Sequence, residues 1–283
     1  MPITHELDER LGNLLACSRC KGHVDVFSGG FKCVDCGFEG SIKEGIVYAA
    51  RTPSASFFDS RHGTMQQGNE DPNVVAFCYK EQAAVLMTNV KAGSILLDVG
   101  CGPKLAYTKP RDSIVIGLDP SIASLRANRD LDLSILGSAE EIPLKTASID
   151  VAVCFYSLHH MVGGRRSDNQ SKVSAAFADL GRVMKCGGVL LVFDMSPWLP
   201  IWWTQLLFWN LAKRVLGGKL DMFFWHKKRV AKFGVDLLPR AHLESGQFSV
   251  PLSTTFPPIF ALPSFRIPRA LYPFDAMVYK WSF

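Results

Sequence analysis

The chain has 283 residues, 48% hydrophobic and 20% charged, with a formal net charge of +5. That much apolar material excludes wholesale disorder, and the length suits one catalytic domain with an appendage. The basicity is mild: it permits an anionic membrane surface or nucleic acid and demands neither.

The opening residues, MPITHELDER, are charged and carry no apolar run. They predict no secretory signal and a reducing, cytoplasmic setting. No run of about 18 uncharged apolar residues predicts a transmembrane helix. The nearest stretch, Trp198 to Ala212, is interrupted by Pro200, Thr204, Gln205 and Asn210. No internal repeat is visible, which argues against a solenoid.

Composition divides the chain into zones. Residues 1–50 hold four of the eight cysteines. Residues 51–71 read as a linker or a lid, with His62 beside Arg61. Residues 72–196 alternate apolar strands with helical segments. Residues 197–283 hold all six tryptophans, ten of nineteen phenylalanines and nine of sixteen prolines.

In the first zone Cys17, Cys20, Cys33 and Cys36 form C-x2-C-x12-C-x2-C. Each pair makes a knuckle that aims two thiolates at one point, and two knuckles complete a tetrahedral Zn²⁺ site. Four protein ligands leave no open position, so the expected role is structural. Cys78, Cys101, Cys154 and Cys186 stand alone beside apolar segments and are expected to be buried thiols.

The third zone predicts a helix from Asp71-Pro72 to about Val90, opened by an N-cap and a proline. Strands are predicted at Ser94–Asp98, Ile114–Asp119, Leu133–Leu136, Ile149–Phe155 and Gly188–Phe193. Helices are expected at Ser121–Arg129 and Ser171–Met184. Continuous apolar strands alternating with helices predict a parallel sheet covered on both faces, with ligands beyond the carboxyl ends of the strands.

Leu97-Asp98-Val99-Gly100-Cys101-Gly102 sits at a strand exit. Gly100 and Gly102 let the backbone approach a ligand where a Cβ would clash. Asp98 would repel a pyrophosphate and attract a cation, which favours a positively charged nucleoside. Asp119 closes the next strand, where a carboxylate accepts both hydroxyls of a ribose. Ser138 and Ala139, followed by Glu140, stand after the third strand, where an adenine edge would lie.

LLDVGCGPK, VIGLDPS, GSAEEIPLKTASIDVAVCFYSLHH and LGRVMKCGGVLLVFD, in that order, resemble the class I S-adenosylmethionine-dependent methyltransferases over about residues 72–196. The resemblance implies a Rossmann-like α/β sheet, with Asp98, Gly100 and Gly102 lining the methionine part of the cofactor. It places Asp119 at the ribose and Ser138 and Ala139 at the adenine. Departures are Lys104 for a usual glycine, Ser138 for a usual acid and Cys186 for a usual proline. Pro110 predicts a short helix after the glycine turn. The N-terminal segment resembles the zinc ribbons found ahead of bacterial methyltransferase domains, one type of which acts on ribosomal RNA.

His159 and His160 follow the fourth strand, and either is a candidate base for an acceptor proton. A packing role is the competing reading. Tyr156 and Ser157 are expected to line the site. In the last zone Trp202, Leu206 and Trp209 share one helical side, and seven Lys or Arg residues between Lys213 and Lys232 face one acid, Asp221. Core packing, an aromatic cap over the acceptor, a membrane-surface segment spanning 198–232 and a nucleic-acid surface all fit this pattern. Residues 276–283 predict a closing strand. The leading expectation is a methyltransferase acting on a small apolar or aromatic metabolite or lipid precursor. An RNA base methyltransferase and a cofactor-binding scaffold without catalysis are the alternatives.

Overall fold

A computed structural model describes residues 9–49, 79–256 and 265–283. The expected linker or lid at 51–71, His62 and Cys78 lie outside the described residues.

The strands that position the site follow the apolar runs. β5 (Ile95–Val99), β6 (Ile114–Asp119), β7 (Leu133–Leu136), β8 (Ile149–Phe155) and β9 (Met184–Pro197) run parallel in the order β7-β6-β5-β8-β9. Both faces are covered, so their side chains are almost continuously buried. β11 (Ser253–Phe256) and β12 (Phe265–Pro268) form a separate antiparallel pair, and β13 (Phe274–Ser282) adds antiparallel to β9, from Phe274 opposite Pro197 to Ser282 opposite Val189. β10 (His242–Phe248) closes that edge. It alternates exposed with half-buried positions, as a polar edge strand should.

The N-terminal β1 (Val24–Phe27), β2 (Gly30–Cys33), β3 (Glu39–Lys43) and β4 (Ile46–Tyr48) form an antiparallel meander. β4 then pairs in parallel with β7, Val47 opposite Ile135. The cysteine-bearing segment and the closing strands thus belong to one eleven-stranded sheet. The Lys21 ammonium reinforces the junction by bonding Asp179 Oδ2 at 2.9 Å. Asp179 also takes the Arg182 guanidinium at 2.6 Å and the Ile142 N–H, so this buried carboxylate is fully compensated.

After a short first turn, α1 (Glu9–Gly12), the helices are α2 (Tyr79–Met87), α3 (Ile122–Ala127), α4 (Arg166–Val183), α5 (Leu199–Leu216) and α6 (Lys227–Leu237). Ser121 caps α3 by accepting the Ser124 N–H. Phe177 of α4 meets the Trp281 ring edge-on at 5.3 Å, which fastens the helix layer to the closing strand. One apolar core joins Leu15, Phe31 and Val47 of the ribbon to Ile116, Phe177 and Trp281.

Two expectations need correction. The stretch between β5 and β6 forms turns and no helix, since Pro103 and Pro110 leave too little uninterrupted chain. Cys186 is exposed, because it lies in the irregular stretch of β9 between the Met184–Ile149 and Val189–Val151 pairs. Cys101 and Cys154 are buried as expected. The tryptophans divide: Trp202, Trp209, Trp225 and Trp281 are buried, whereas Trp198 and Trp203 are exposed.

Candidate functional site

The carboxyl ends of β5, β6 and β8 meet at the glycine turn. Gly100 and Gly102 both take left-handed conformations, with φ of 71° and 60°. At Gly100 a Cβ would stand 2.5 Å from the Ser157 Cβ, so the close approach of the β8 exit requires glycine. At Gly102 a Cβ would meet nothing within 4 Å among the described residues. Ser157 locks the approach, its hydroxyl donating to the Val99 carbonyl at 2.7 Å.

Asp119 holds the turn from the other side. Its Oδ2 accepts the Gly102 N–H at 2.9 Å and its Oδ1 accepts the Ser121 N–H at 2.8 Å. A carboxylate at a strand end is the group that can accept from a ribose diol. Asp119 also shapes the turn through these two backbone bonds. The Asn128 amide fixes the Gly102 carbonyl at 3.1 Å.

Asp98 is 2% exposed, and its Oδ1 has no well-aligned hydrogen-bond partner. Burial pushes its carboxyl up to about 7; the Tyr107 hydroxyl opposes the shift and the Asp119 charge adds to it. The sign follows. An isolated aspartate titrates near 4, so the folded chain holds this proton more tightly than the unfolded one. Its stabilising contribution is full below about 4 and disappears as pH rises through about 7. A cation that needs the carboxylate must expel the proton, so its affinity falls below about pH 7. A buried carboxylate with one oxygen lacking an aligned partner, beside this turn, fits a sulfonium or ammonium group.

Ser138 caps the turn after β7. Its hydroxyl accepts the Glu140 N–H and contacts the Glu140 carboxylate, each at 3.3 Å, while Glu140 bonds Lys172 at 2.7 Å. Ala139 is buried beside it. These residues stand at the end of β7, next to the end of β6.

The β8 exit carries the histidines. Tyr156 adopts φ 51°, an uncommon conformation for a bulky side chain. Its hydroxyl accepts the Gln82 amide of α2 at 2.7 Å. His159 is buried, with Nδ1 2.6 Å from Asp194 Oδ1. Asp194 stands near the end of β9 and also accepts the His159 and Met195 backbone N–H groups, at 3.1 and 2.7 Å. An acceptor carboxylate at Nδ1 fixes that nitrogen as N–H and makes Nε2 the basic one. The His159 ring stacks on Phe224 at 4.9 Å. Phe224 continues into a cluster with Met195, Met222, Tyr272 and Phe274, against which Tyr156 packs.

His160 differs. Burial and its neighbour His159 hold it down to about 3, so it is neutral at pH 7. Its Nδ1 lies 2.9 Å from the Asp221 carbonyl, the geometry of a structural N–H donor. Sequence reasoning weighed the two histidines equally and missed Asp194, Tyr107 and Gln82. Asp194 did carry a signal: it is the one acid in β9, directly after the apolar run Val189–Phe193.

Away from this cleft, the sulfurs of Cys17, Cys20, Cys33 and Cys36 all lie within 4.8 Å of one another. Cys17–Cys36 and Cys20–Cys33 are 3.6 and 3.4 Å apart. Zn–S bonds of about 2.3 Å place tetrahedral sulfurs about 3.8 Å apart, so the four thiols fit zinc. They would form a closed, structural centre.

The strand order, the antiparallel penultimate strand and the glycine turn between two acids define the class I S-adenosylmethionine-dependent methyltransferase fold. Residues 97–192 match the family model described as a methyltransferase domain. The Rubrivivax gelatinosus ubiquinone/menaquinone biosynthesis C-methyltransferase UbiE is 29% identical over 134 residues, 45% of this chain and 48% of that protein. The uncharacterised Methanocaldococcus jannaschii protein MJ1252 is 22% identical over 134 residues, 47% of each. The chain thus spans about half the length of the curated relatives it matches. Among solved structures, the [4+2]-cyclase SpnF covers 81% of this chain and 94% of its own at a TM-score of 0.53 and 13% identity. A chain from the complex of the Haloferax volcanii Trm112 methyltransferase activator with a proposed methyltransferase covers 78% and 96%, at 0.51 and 15%. These structural likenesses show the fold. The cyclase among them illustrates that the fold alone does not set the reaction.

Proposed function

We propose that the protein transfers the methyl group of S-adenosylmethionine to a small, largely apolar or aromatic metabolite or lipid precursor. The observation that carries this reading is the buried Asp98 carboxylate, whose Oδ1 has no aligned hydrogen-bond partner, beside the Gly102 turn, with the His159–Asp194 pair on the adjoining strand exit. When bound, the cofactor supplies an electrophilic methyl on a sulfonium. Asp98 attracts that cation, Gly100 and Gly102 admit its backbone-hugging portion, and Asp119 accepts from its ribose. Ser138 and Ala139 flank the adenine. Transfer is an in-line displacement, so the protein contributes chiefly position and dryness. Nε2 of His159 takes the proton that the acceptor sheds, and Asp194 stabilises the imidazolium.

The apolar acceptor is supported by the Phe224, Tyr272 and Phe274 cluster beside His159, and by the name of the UbiE relative. The test offers methyl-labelled cofactor to a cellular lipid extract and, separately, to total RNA. Label is expected in the organic phase and absent from RNA. Label in RNA alone, or in neither, overturns the proposal.

A further inference from the structure

α5 has two apolar sides, and only one of them is used. Trp202 and Trp209 face inward, packed on Phe223 at 5.7 Å each. On the opposite side Leu199, Trp203, Leu207, Phe208, Leu211 and Val215 are 53–75% exposed. Steps of four residues keep them on one slowly turning stripe along the whole helix. A monomer in water gains nothing from such a face, and a stripe of this size marks a contact surface.

The surrounding charge selects the occupant. From Trp198 to Leu220 there is no acidic residue. Arg214 projects within the exposed arc. Arg166 bonds the Leu206 carbonyl and the Asn210 amide oxygen, which sets it and exposed Arg165 beside the middle of the helix. Asp275, bonded to the Trp198 indole, is paired with Lys227. A second copy of the chain would bring this same set of cations against itself, which like-charge repulsion penalises. An anionic lipid surface would neutralise them. No helix among the described residues is long and apolar enough to cross a membrane, so the stripe would lie along the surface. We propose that α5 docks the protein onto an anionic bilayer, with Trp203, Leu207, Leu211 and Val215 entering the acyl boundary and Arg165, Arg166 and Arg214 meeting the headgroups. The proposal stands apart from the methyl-transfer reading, since the surface works with any acceptor.

The full chain is sedimented with vesicles of phosphatidylcholine alone and of phosphatidylcholine mixed with phosphatidylglycerol. Binding to the mixed vesicles is expected, with weaker binding to the neutral ones. Leu207→Gln and Leu211→Gln are each expected to weaken binding about tenfold, and Arg214→Gln about fivefold on anionic vesicles only. These side chains are exposed, so an unchanged melting temperature confirms that each variant folds. No retention on anionic vesicles overturns the proposal, as does equal retention of parent and Leu207→Gln/Leu211→Gln. Self-association that this double variant abolishes, without vesicle binding, assigns the stripe to a second copy and also overturns it. The assay needs no turnover, so its failure and that of the proposed function are separate results.

Discussion

Asp194→Asn is expected to lower kcat by roughly a hundred- to ten-thousandfold while leaving the cofactor KM near the parental value. The buried carboxylate serves three donors: the His159 ring at 2.6 Å and the His159 and Met195 backbone N–H groups. Asparagine keeps the shape and one acceptor oxygen. It cannot both serve the backbone donors and present a full negative charge to Nδ1. The imidazole then loses its fixed tautomer and the counter-charge that an imidazolium needs. Asp194→Ala is a poorer probe, because it strands buried donors and costs on the order of 3 kcal/mol or more of stability. His159→Gln should show the same kcat loss, since both changes disable one base. A parental kcat in either variant, with a cooperative melt retained, would remove His159 from the chemistry. The pair would then be a packing device for the β8 exit.

The second large effect concerns stability. Chelation of the metal, or Cys33→Ser, is expected to cost about 5 kcal/mol or more, consistent with a structural zinc site. Cys33 is 1% exposed and shares a core with Leu15, Phe31 and Ile42. The segment it anchors continues through β4 into the pairing with β7, and Lys21 ties it to Asp179. Loss of the metal should therefore lower the main calorimetric transition rather than split off a small early one. The protein as purified should carry close to one zinc per chain by elemental analysis. A chelator that leaves the main transition unmoved would contradict the structural reading of the four cysteines.

The parallel sheet was legible because its strands are buried on both faces and read as unbroken apolar runs. Ile114–Asp119, Leu133–Leu136 and Ile149–Phe155 have the predicted bounds. β9 is longer than its apolar run, extending to Pro197, because β13 pairs along its other edge. That register is set by chain some 80 residues away and leaves no local mark. β10 went unseen for a related reason: HLESGQF is polar, as an edge strand requires, and polar alternation does not announce a strand. The union of β4 with β7 depends on tertiary placement that cysteine spacing does not encode.

For the candidate site, the glycines and both aspartates were visible from their places at strand exits. Their division of labour was not. That Asp119 fastens Gly102 while Asp98 Oδ1 is left without an aligned donor depends on groups brought together by folding. The same holds for His159 over His160, which only the carboxylate at Asp194 distinguishes. The tryptophan-rich zone encoded both a core and a surface, and only packing could sort Trp202 and Trp209 from Trp198 and Trp203.

The central claim is that the cleft between Asp98 and Asp119 takes an adenosyl sulfonium. Calorimetric titration of S-adenosylmethionine into the parent and Asp119→Ala, across a pH series, tests it most directly. The parent should bind with an affinity that is flat above about pH 7 and falls as much as tenfold per unit below it, as Asp98 holds its proton. Asp119→Ala should bind roughly a hundredfold more weakly, having lost two charge-assisted bonds and the clamp on Gly102. No binding by the parent, or equal affinity in the two proteins, would contradict the account.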